Sequence, residues 1–240
     1  MNNPLVTIIT ATTCTDYLRQ NLNSVINQTY PNIQHLIVVD GKHHLDKLTY
    51  DIASDVIVLP YATGINQYNG HRIYGATTYL AKGDYIMYLD EDNWLEPRHI
   101  ESLIETINGK QNAYACSLRK VTDMDGNYIC NDDCESLGNW VSIIDDYFVD
   151  VNCFFFPKKL ALQLTPLWYR RARHPEDQPE VDRALTYVLR DNKIECCVSG
   201  EYTVNYRAGN RADSVQAEFF SKGNEVMRQK YNNIFPWRKK

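Results

Sequence analysis

The chain has 240 residues, enough for one sizeable α/β domain. Its apolar share of 44% and charged share of 23% are those of an ordinary globular protein. The net charge of −5 argues against nucleic-acid binding, because no basic excess is present to neutralise phosphates. The seven cysteines are scattered, and no signal segment or membrane-spanning apolar run is visible, so we expect reduced thiols and a cytoplasmic protein.

Buried strands and amphipathic helices alternate in the first hundred residues. Strand, helix and strand at this spacing require crossover connections, which predicts an α/β protein with a largely parallel sheet. The predicted strands are residues 5–10, 35–39, 55–59 and 85–89, and the predicted helices are residues 16–26, with Asp16 as N-cap, and 67–80.

The second half of the sequence is less regular. No repeat or linker divides it, so we predict one domain over residues 1–210 and a helical tail over residues 211–240. The tail ends in the basic, aromatic residues 235–240, interpreted as a frayed end, with contact to an anionic membrane at the inner face as the alternative. The predicted elements are helices at 97–107, 178–190 and 214–232 and strands at 114–121, 126–130, 149–156 and 201–206.

Three predicted strands of the first half end in polar residues. These ends lie at residues 10–13, at Asp40-Gly41 and at residues 90–93. Ligands of parallel sheets bind beyond the carboxyl ends of the strands. We therefore expect a binding site at this edge of the sheet.

The acidic triplet Asp90-Glu91-Asp92 directly follows a buried strand. In an extended chain Asp90 and Asp92 project from one face while Glu91 points away. Two close carboxylates repel each other unless a cation neutralises them, and Mg²⁺ or Mn²⁺ suits such oxygen ligands. The alternative is a solvated acidic turn or a helix N-cap, because a predicted helix follows.

Four segments carry a family resemblance. Together they resemble the opening and the Asp-x-Asp region of the family 2 glycosyltransferases, strongly over residues 4–100 and in outline over residues 100–210. The segments are VTIITAT at residues 6–12, LNSVINQTYPN at 22–32, HLIVVDG at 35–41 and AKGDYIMYLDED at 81–92.

The resemblance implies the GT-A fold, with residues 1–100 binding the nucleotide sugar and residues 101–210 the acceptor. It implies an inverting transfer from a UDP-, GDP- or dTDP-sugar to a glycan or lipid-linked hydroxyl, as in polysaccharide biosynthesis. It also implies a divalent cation, Mn²⁺ or Mg²⁺, held by Asp90 and Asp92 against the donor diphosphate.

The same resemblance assigns the donor-binding residues. Asp40 would bind the base or ribose, and Arg72 would face the donor, although the spacing from Arg72 to residue 81 is about two residues longer than the family pattern. A turn at Asp40-Gly41 and a surface arginine at position 72 are the alternatives. The implied donor-binding set is Thr10, Ala11, Thr12, Asp40, Arg72, Asp90 and Glu91.

An inverting transfer requires a base that takes the proton of the acceptor hydroxyl. The family places this carboxylate, often within Glu-Asp, at the start of a late helix. Asp182 matches the spacing to the strand ending at Arg207, and Asp177 lies in the literal Glu-Asp pair. We favour Asp182 over Asp177; helix capping is the alternative role for both.

Two other functions compete with glycosyl transfer. A sugar nucleotidyltransferase would carry a glycine-rich loop after the first strand, but residues 11–15 contain no glycine. A non-catalytic sugar-nucleotide or glycan-binding module is the second alternative. Asp150 and Asn152 are further candidates on the acceptor side, and Trp140 and Trp168 are candidates for sugar stacking or for core packing.

Overall fold

The fold is an α/β domain built on one nine-stranded sheet. The computed structural model describes residues 3–49, 52, 54–65, 68–170, 181–210 and 214–239. Within those ranges no helix is long and apolar enough to cross a bilayer.

The first half of the sheet is parallel throughout. β1 (Val6–Thr12) lies between β2 (Ile33–Val39) and β4 (Tyr85–Tyr88), and β3 (Asp55–Val58) continues the sheet beyond β2. β1 is buried along its whole length, as its uninterrupted apolar and threonine pattern predicts for a parallel strand covered on both faces. The prediction of a parallel α/β sheet is therefore confirmed for this half.

The second half extends the sheet with strands of both directions. β8 (Phe154–Pro157) pairs antiparallel with β4 and with β6, and β6 pairs parallel with the long β9. β7 pairs antiparallel with β6, and β5 pairs antiparallel with β9. The remaining strands are β5 (Trp94–Leu95), β6 (Ala113–Thr122), β7 (Tyr128–Asn131) and β9 (Glu195–Arg207).

Strand direction brings distant segments to one edge. Because β8 is antiparallel to both β4 and β6, the strands β6 and β9 run in the same direction as β1 to β4. The carboxyl ends of these six strands consequently share one edge of the sheet, which we call the carboxyl edge. The segment that leads into β8 begins at the same edge.

Helices connect these strands. The helices α1, α2 and α5 begin near the carboxyl edge, since each ends shortly before the start of a later strand at the opposite edge. Their bounds are α1 (Leu18–Ile26), α2 (His71–Thr77), α3 (His99–Ile107), α4 (Lys158–Leu164), α5 (Val181–Asp191) and α6 (Ala217–Lys230), with 3-10 turns at Lys42–Lys47, Val151–Cys153 and Thr165–Tyr169.

One detail of the predicted first helix is wrong. Tyr17, not Asp16, is the N-cap residue of α1, and it makes no side-chain capping bond. Ile26 is 66% exposed, because the buried face of α1 consists of Leu18, Leu22 and Val25 with their polar neighbours.

The C-terminal tail is packed against the domain, contrary to the predicted frayed end. Trp237 is 1% exposed, and its indole N–H donates to Asp133 at 2.8 Å. Arg238 also bonds to Asp133, and the backbone N–H of Lys239 donates to the carbonyl of Gly200. Burial of Trp237 beside α6 and β6 stabilises this end and makes the indole unavailable to a membrane in this conformation.

Candidate functional site

The acidic triplet lies at the carboxyl edge, immediately after β4. It does not continue as extended chain: the backbone N–H of Asn93 donates to the carbonyl of Asp90, which closes a β-turn. The expectation that Asp90 and Asp92 share one face of a strand is therefore wrong. Each of the three acids of this acidic turn has its own partners.

Asp90 is held from two sides. Its Oδ1 accepts a hydrogen bond from the Tyr74 hydroxyl at 2.6 Å, and its Oδ2 accepts one from the Asn152 amide at 3.0 Å. Burial and the charge of Asp90 raise the pKa of Tyr74 well above its ordinary value, so the phenol remains a donor at neutral pH. The Asp90 carboxylate consequently has a defined orientation.

Glu91 points towards the loop after β1. Its carboxylate accepts hydrogen bonds from the hydroxyls of Thr12 and Thr13 and from the backbone N–H groups of Thr13 and Thr15, over 2.5–3.1 Å. A carboxylate with four such partners fixes the β1–α1 loop against the acidic turn. These contacts describe loop positioning; direct donor contact by Glu91 stays a prediction.

Asp92 lies where the ends of β4 and β9 meet. Its Oδ2 accepts a hydrogen bond from the Asn210 amide, and its backbone carbonyl accepts one at 3.1 Å from Arg207 Nε. Arg207 also donates to the Met124 carbonyl and to the Gln20 side chain. This one guanidinium therefore joins the acidic turn, α1 and the β6–β7 turn.

Asp40 holds a second loop at the same edge. It is 6% exposed, and it accepts bonds from the N–H and hydroxyl of Thr63 and from the N–H of Gly64, over 2.5–2.9 Å. Arg72 Nη1 donates to the Thr63 carbonyl at 3.1 Å and stacks on the ring of Tyr68. Asp40 and Arg72 thus meet at one loop, as a shared donor-binding role requires; that role itself stays a prediction.

The three residues predicted to line the nucleoside pocket are buried at the end of β1. The Thr10 hydroxyl pairs with His35 at 3.0 Å, and burial lowers the pKa of His35 to about 3. Ala11 packs against the start of α2, where a Cβ on Gly70 would lie 2.8 Å from its methyl group. The Thr12 hydroxyl donates to Glu91 and accepts from the backbone N–H of Cys14. Contact of these three residues with a nucleoside stays a prediction.

Asp182 lies in the first turn of α5, near the carboxyl edge. Its backbone carbonyl accepts a hydrogen bond from the Thr186 hydroxyl at 2.9 Å. The Thr186 hydroxyl oxygen in turn accepts one at 3.2 Å from the backbone N–H of Val149. Through Thr186, α5 therefore packs beside the segment that leads to Asn152, the residue that contacts Asp90. Asp177, the other candidate base, lies outside the described residues.

A buried charge cluster lies beneath this segment. Arg119 is 2% exposed and contacts the carboxylates of Asp132, Glu135 and Asp150. Glu135 is also bonded to Arg183 of α5 at 3.0 Å. Burial would lower the pKa of Arg119, but the three carboxylates raise it well above its ordinary value, so it stays charged.

The described residues hold no preformed metal site of three or more His, Cys, Asp or Glu side chains. Asp90 and Asp92 fit a different arrangement, in which one or two carboxylates supply part of the shell and phosphate oxygens and water complete it. That donor set suits Mg²⁺ and Mn²⁺, which retain several waters.

Sequence reasoning missed three partners of the two aspartates. Tyr74 and Asn210 gave no signal, since a tyrosine in a helix or a residue after a strand is ordinary. Arg207 was noted only as the end of a strand. Asn152 was predicted on the acceptor side, yet it contacts Asp90. Trp168 is 1% exposed and packs edge-on against Tyr88, which confirms its core alternative.

Two sequence relatives are glycosyltransferases by name. EpsH of Bacillus subtilis (strain 168), named as a glycosyltransferase, is 29% identical over 126 residues, covering 49% of this chain and 34% of its own. Glycosyltransferase GlyA of Streptococcus pneumoniae serotype 4 is 25% identical over 154 residues, covering 63% of this chain and 20% of its own. The chain thus spans about a third of the length of EpsH and about a fifth of the length of GlyA.

Solved structures of TarS from S. aureus share the fold. TarS 1–349 in complex with UDP superposes with a TM-score of 0.61 at 15% identity, covering 95% of this chain and 66% of TarS 1–349. The complex with UDP-GlcNAc gives a TM-score of 0.60 at 14% identity, with 95% and 67% covered. The predicted GT-A fold is therefore confirmed.

The glycosyl transferase family 2 model matches residues 6–133, more than half of the chain. This range contains β1 to β4 and the acidic turn, the elements that build the carboxyl edge described above. The chain belongs to glycosyl transferase family 2.

Proposed function

We propose that this chain transfers a sugar from a nucleoside-diphosphate donor to a hydroxyl of a glycan or lipid-linked acceptor. The observation that carries the proposal is the convergence at one edge of the acidic turn, the Asp40–Thr63 loop with Arg72, and the first turn of α5. Family membership and the nucleotide ligands of TarS support a UDP-type donor.

On the donor side, Asp40 and the end of β1 would bind the nucleoside, and Arg72 would face the diphosphate. Asp92, with Asp90 beside it, would hold Mn²⁺ or Mg²⁺ together with the diphosphate oxygens. Such a cation would stabilise the charge that develops on the departing nucleotide.

On the acceptor side, a carboxylate must take the proton of the attacking hydroxyl. Asp182 is our candidate, because it matches the family spacing to the strand ending at Arg207 and lies on α5, whose Thr186 contacts Val149 in the segment that leads to Asn152. Direct attack by the acceptor from the face opposite the nucleotide would invert the anomeric carbon. Asp177 is the alternative base.

The test is a turnover assay with UDP-, GDP- and dTDP-sugars and Mn²⁺, which measures donor hydrolysis and transfer. Asp182→Asn is expected to lower turnover by about 100-fold or more while nucleotide binding persists. Asp191→Asn, at the exposed far end of the same helix, is the matched control and should leave turnover unchanged.

The other outcomes are equally informative. Full turnover in Asp182→Asn, with loss in Asp177→Asn, would transfer the base role to Asp177. Nucleotide binding without turnover in the wild-type chain would favour the binding-module alternative. Failure to bind any of the three nucleotides would contradict the proposed function.

A further inference from the structure

Asn152 uses all of its amide hydrogen-bonding groups within the acidic site. Its Nδ2 donates to Asp90 Oδ2 at 3.0 Å and to Asp150 Oδ1 at 2.8 Å, and its Oδ1 accepts from the Asp90 backbone N–H at 2.7 Å. The side chain is 0% exposed, so water does not compete for these bonds. Asn152 thus grips both the backbone and the carboxylate of Asp90.

The identity of this side chain is dictated by its neighbours. A flipped amide would direct N–H groups at the Asp90 N–H and an oxygen at two carboxylates. An aspartate would place a third negative charge between Asp90 and Asp150, and a leucine would lose all three side-chain hydrogen bonds. Among side chains of this size, the amide alone pairs with one donor and two acceptors.

Asn152 is itself held in place by buried charges. The backbone N–H of Asn152 donates to Asp150 Oδ1 at 2.9 Å, and the other oxygen of Asp150 contacts Arg119. The Asp150 backbone N–H donates to the Ser136 hydroxyl at 2.9 Å. Asp150 therefore links Asn152 to the buried charge cluster.

The same segment also packs against α5. The backbone N–H of Val149 donates to Thr186, whose hydroxyl donates to the carbonyl of Asp182. Residues 149–152 consequently contact the acidic turn through Asn152 and α5 through Val149.

We propose that Asn152 is a positioning residue of the donor site, which orients the Asp90 carboxylate for the nucleotide and fixes the acidic turn against residues 149–152. The inference rests on the proposed function, because it takes Asp90 as a donor-binding group. Asn152 itself acts through Asp90.

The test compares Asn152→Ala with Asn224→Ala. Asn224 is also buried, at 2% exposure, and also makes two hydrogen bonds, to the Asp133 N–H at 2.9 Å and the Asn131 carbonyl at 2.7 Å, but it lies on α6. Both variants should lower Tm. Only Asn152→Ala should weaken binding of UDP with Mn²⁺, by about 10- to 100-fold, the range expected for a lost bond to a charged group.

A second measurement needs no nucleotide. Hydrogen exchange of the peptide spanning residues 86–95 should accelerate in Asn152→Ala and stay unchanged in Asn224→Ala, because the Asp90 N–H loses its acceptor. Equal UDP affinity in the two variants, or unchanged exchange in Asn152→Ala, would overturn the positioning role. If the wild type binds none of UDP, GDP and dTDP, the proposed function is wrong, and so is the donor-orienting role of Asn152. The hydrogen-exchange result would still decide whether Asn152 fixes the acidic turn.

Discussion

The two halves of the sheet contribute to the carboxyl edge in different ways. In the first half, Thr12, Asp40 and Asp90 lie at or directly after strand ends, and the strand direction alone brings them to the edge. In the second half, Asn152 and Asp182 lie beside Asp150 and Arg183, which belong to the buried charge cluster. Loss of a single side chain should therefore damage the second half more than the first.

The largest expected effect is at the buried cluster. Arg119→Met removes the cation shared by Asp132, Glu135 and Asp150; Asp132 and Asp150 stay buried without it, while Glu135 keeps its ion pair with Arg183. We expect a loss of about 3–5 kcal/mol in the free energy of unfolding, measured by urea denaturation. Arg98→Met, which breaks exposed pairs with Glu101 and Glu105, should cost under about 1 kcal/mol. Equal losses would contradict the account of the cluster.

The packed tail gives the next effect. Trp237→Ala empties a buried site between α6 and β6 and should lower the free energy of unfolding by about 3–4 kcal/mol. Ile234, 75% exposed in the same tail, provides the control, and Ile234→Ala should be neutral. A neutral Trp237→Ala would mean that the tail is detached in solution.

A smaller effect concerns how the free energy of unfolding depends on pH. Burial lowers the pKa of His35 in β2 and of His99 in α3 to about 3, from an ordinary value of 6.5. Between pH 6.5 and 3 the unfolded chain binds more protons than the folded chain, so stability falls as pH falls. The loss between pH 7.5 and pH 5 should be about 2 kcal/mol for each histidine.

Urea denaturation at both pH values measures this loss. His35→Gln and His99→Gln should each reduce the pH dependence by one histidine's share. A pH dependence unaffected by either buried substitution would show that these imidazoles are not neutral in the folded chain.

The smallest expected stability effect is at Tyr74. Tyr74→Phe removes the hydroxyl bond to Asp90 Oδ1 and keeps the ring packed against Tyr88 and Trp168. We expect a loss of about 1–2 kcal/mol in stability and weaker binding of UDP with Mn²⁺. Calorimetric titration measures the affinity, and Tyr79→Phe, on the exposed side of the same helical region, should leave it unchanged.

The sequence predicted the first half well because its signals are local. Buried strands ending in polar residues give both the sheet and the positions of Asp40 and Asp90 at its edge. The same reasoning placed Asp90 and Asp92 on one face, which failed because the chain turns immediately after β4. Side-chain direction in a turn depends on partners such as Tyr74 and Asn152, distant in sequence.

The second half was less predictable because its contacts are non-local. Arg119 meets carboxylates 13, 16 and 31 residues away, and no periodic pattern marks them. The basic, aromatic end of the chain resembles a solvated tail in composition. Only the three-dimensional packing shows that Trp237 is buried against residues a hundred positions earlier.

Nucleotide binding is the most direct test of whether the acidic turn forms a donor site. Calorimetric titration of UDP, GDP and dTDP, with Mn²⁺ or with a chelator, should be run on the wild type, Asp92→Asn and Asp191→Asn. We expect at least one nucleotide to bind with Mn²⁺. The chelator or Asp92→Asn should weaken its affinity by about tenfold or more, whereas Asp191→Asn should leave the affinity unchanged. Absence of binding, or binding indifferent to both Mn²⁺ and Asp92, would contradict the proposed donor site.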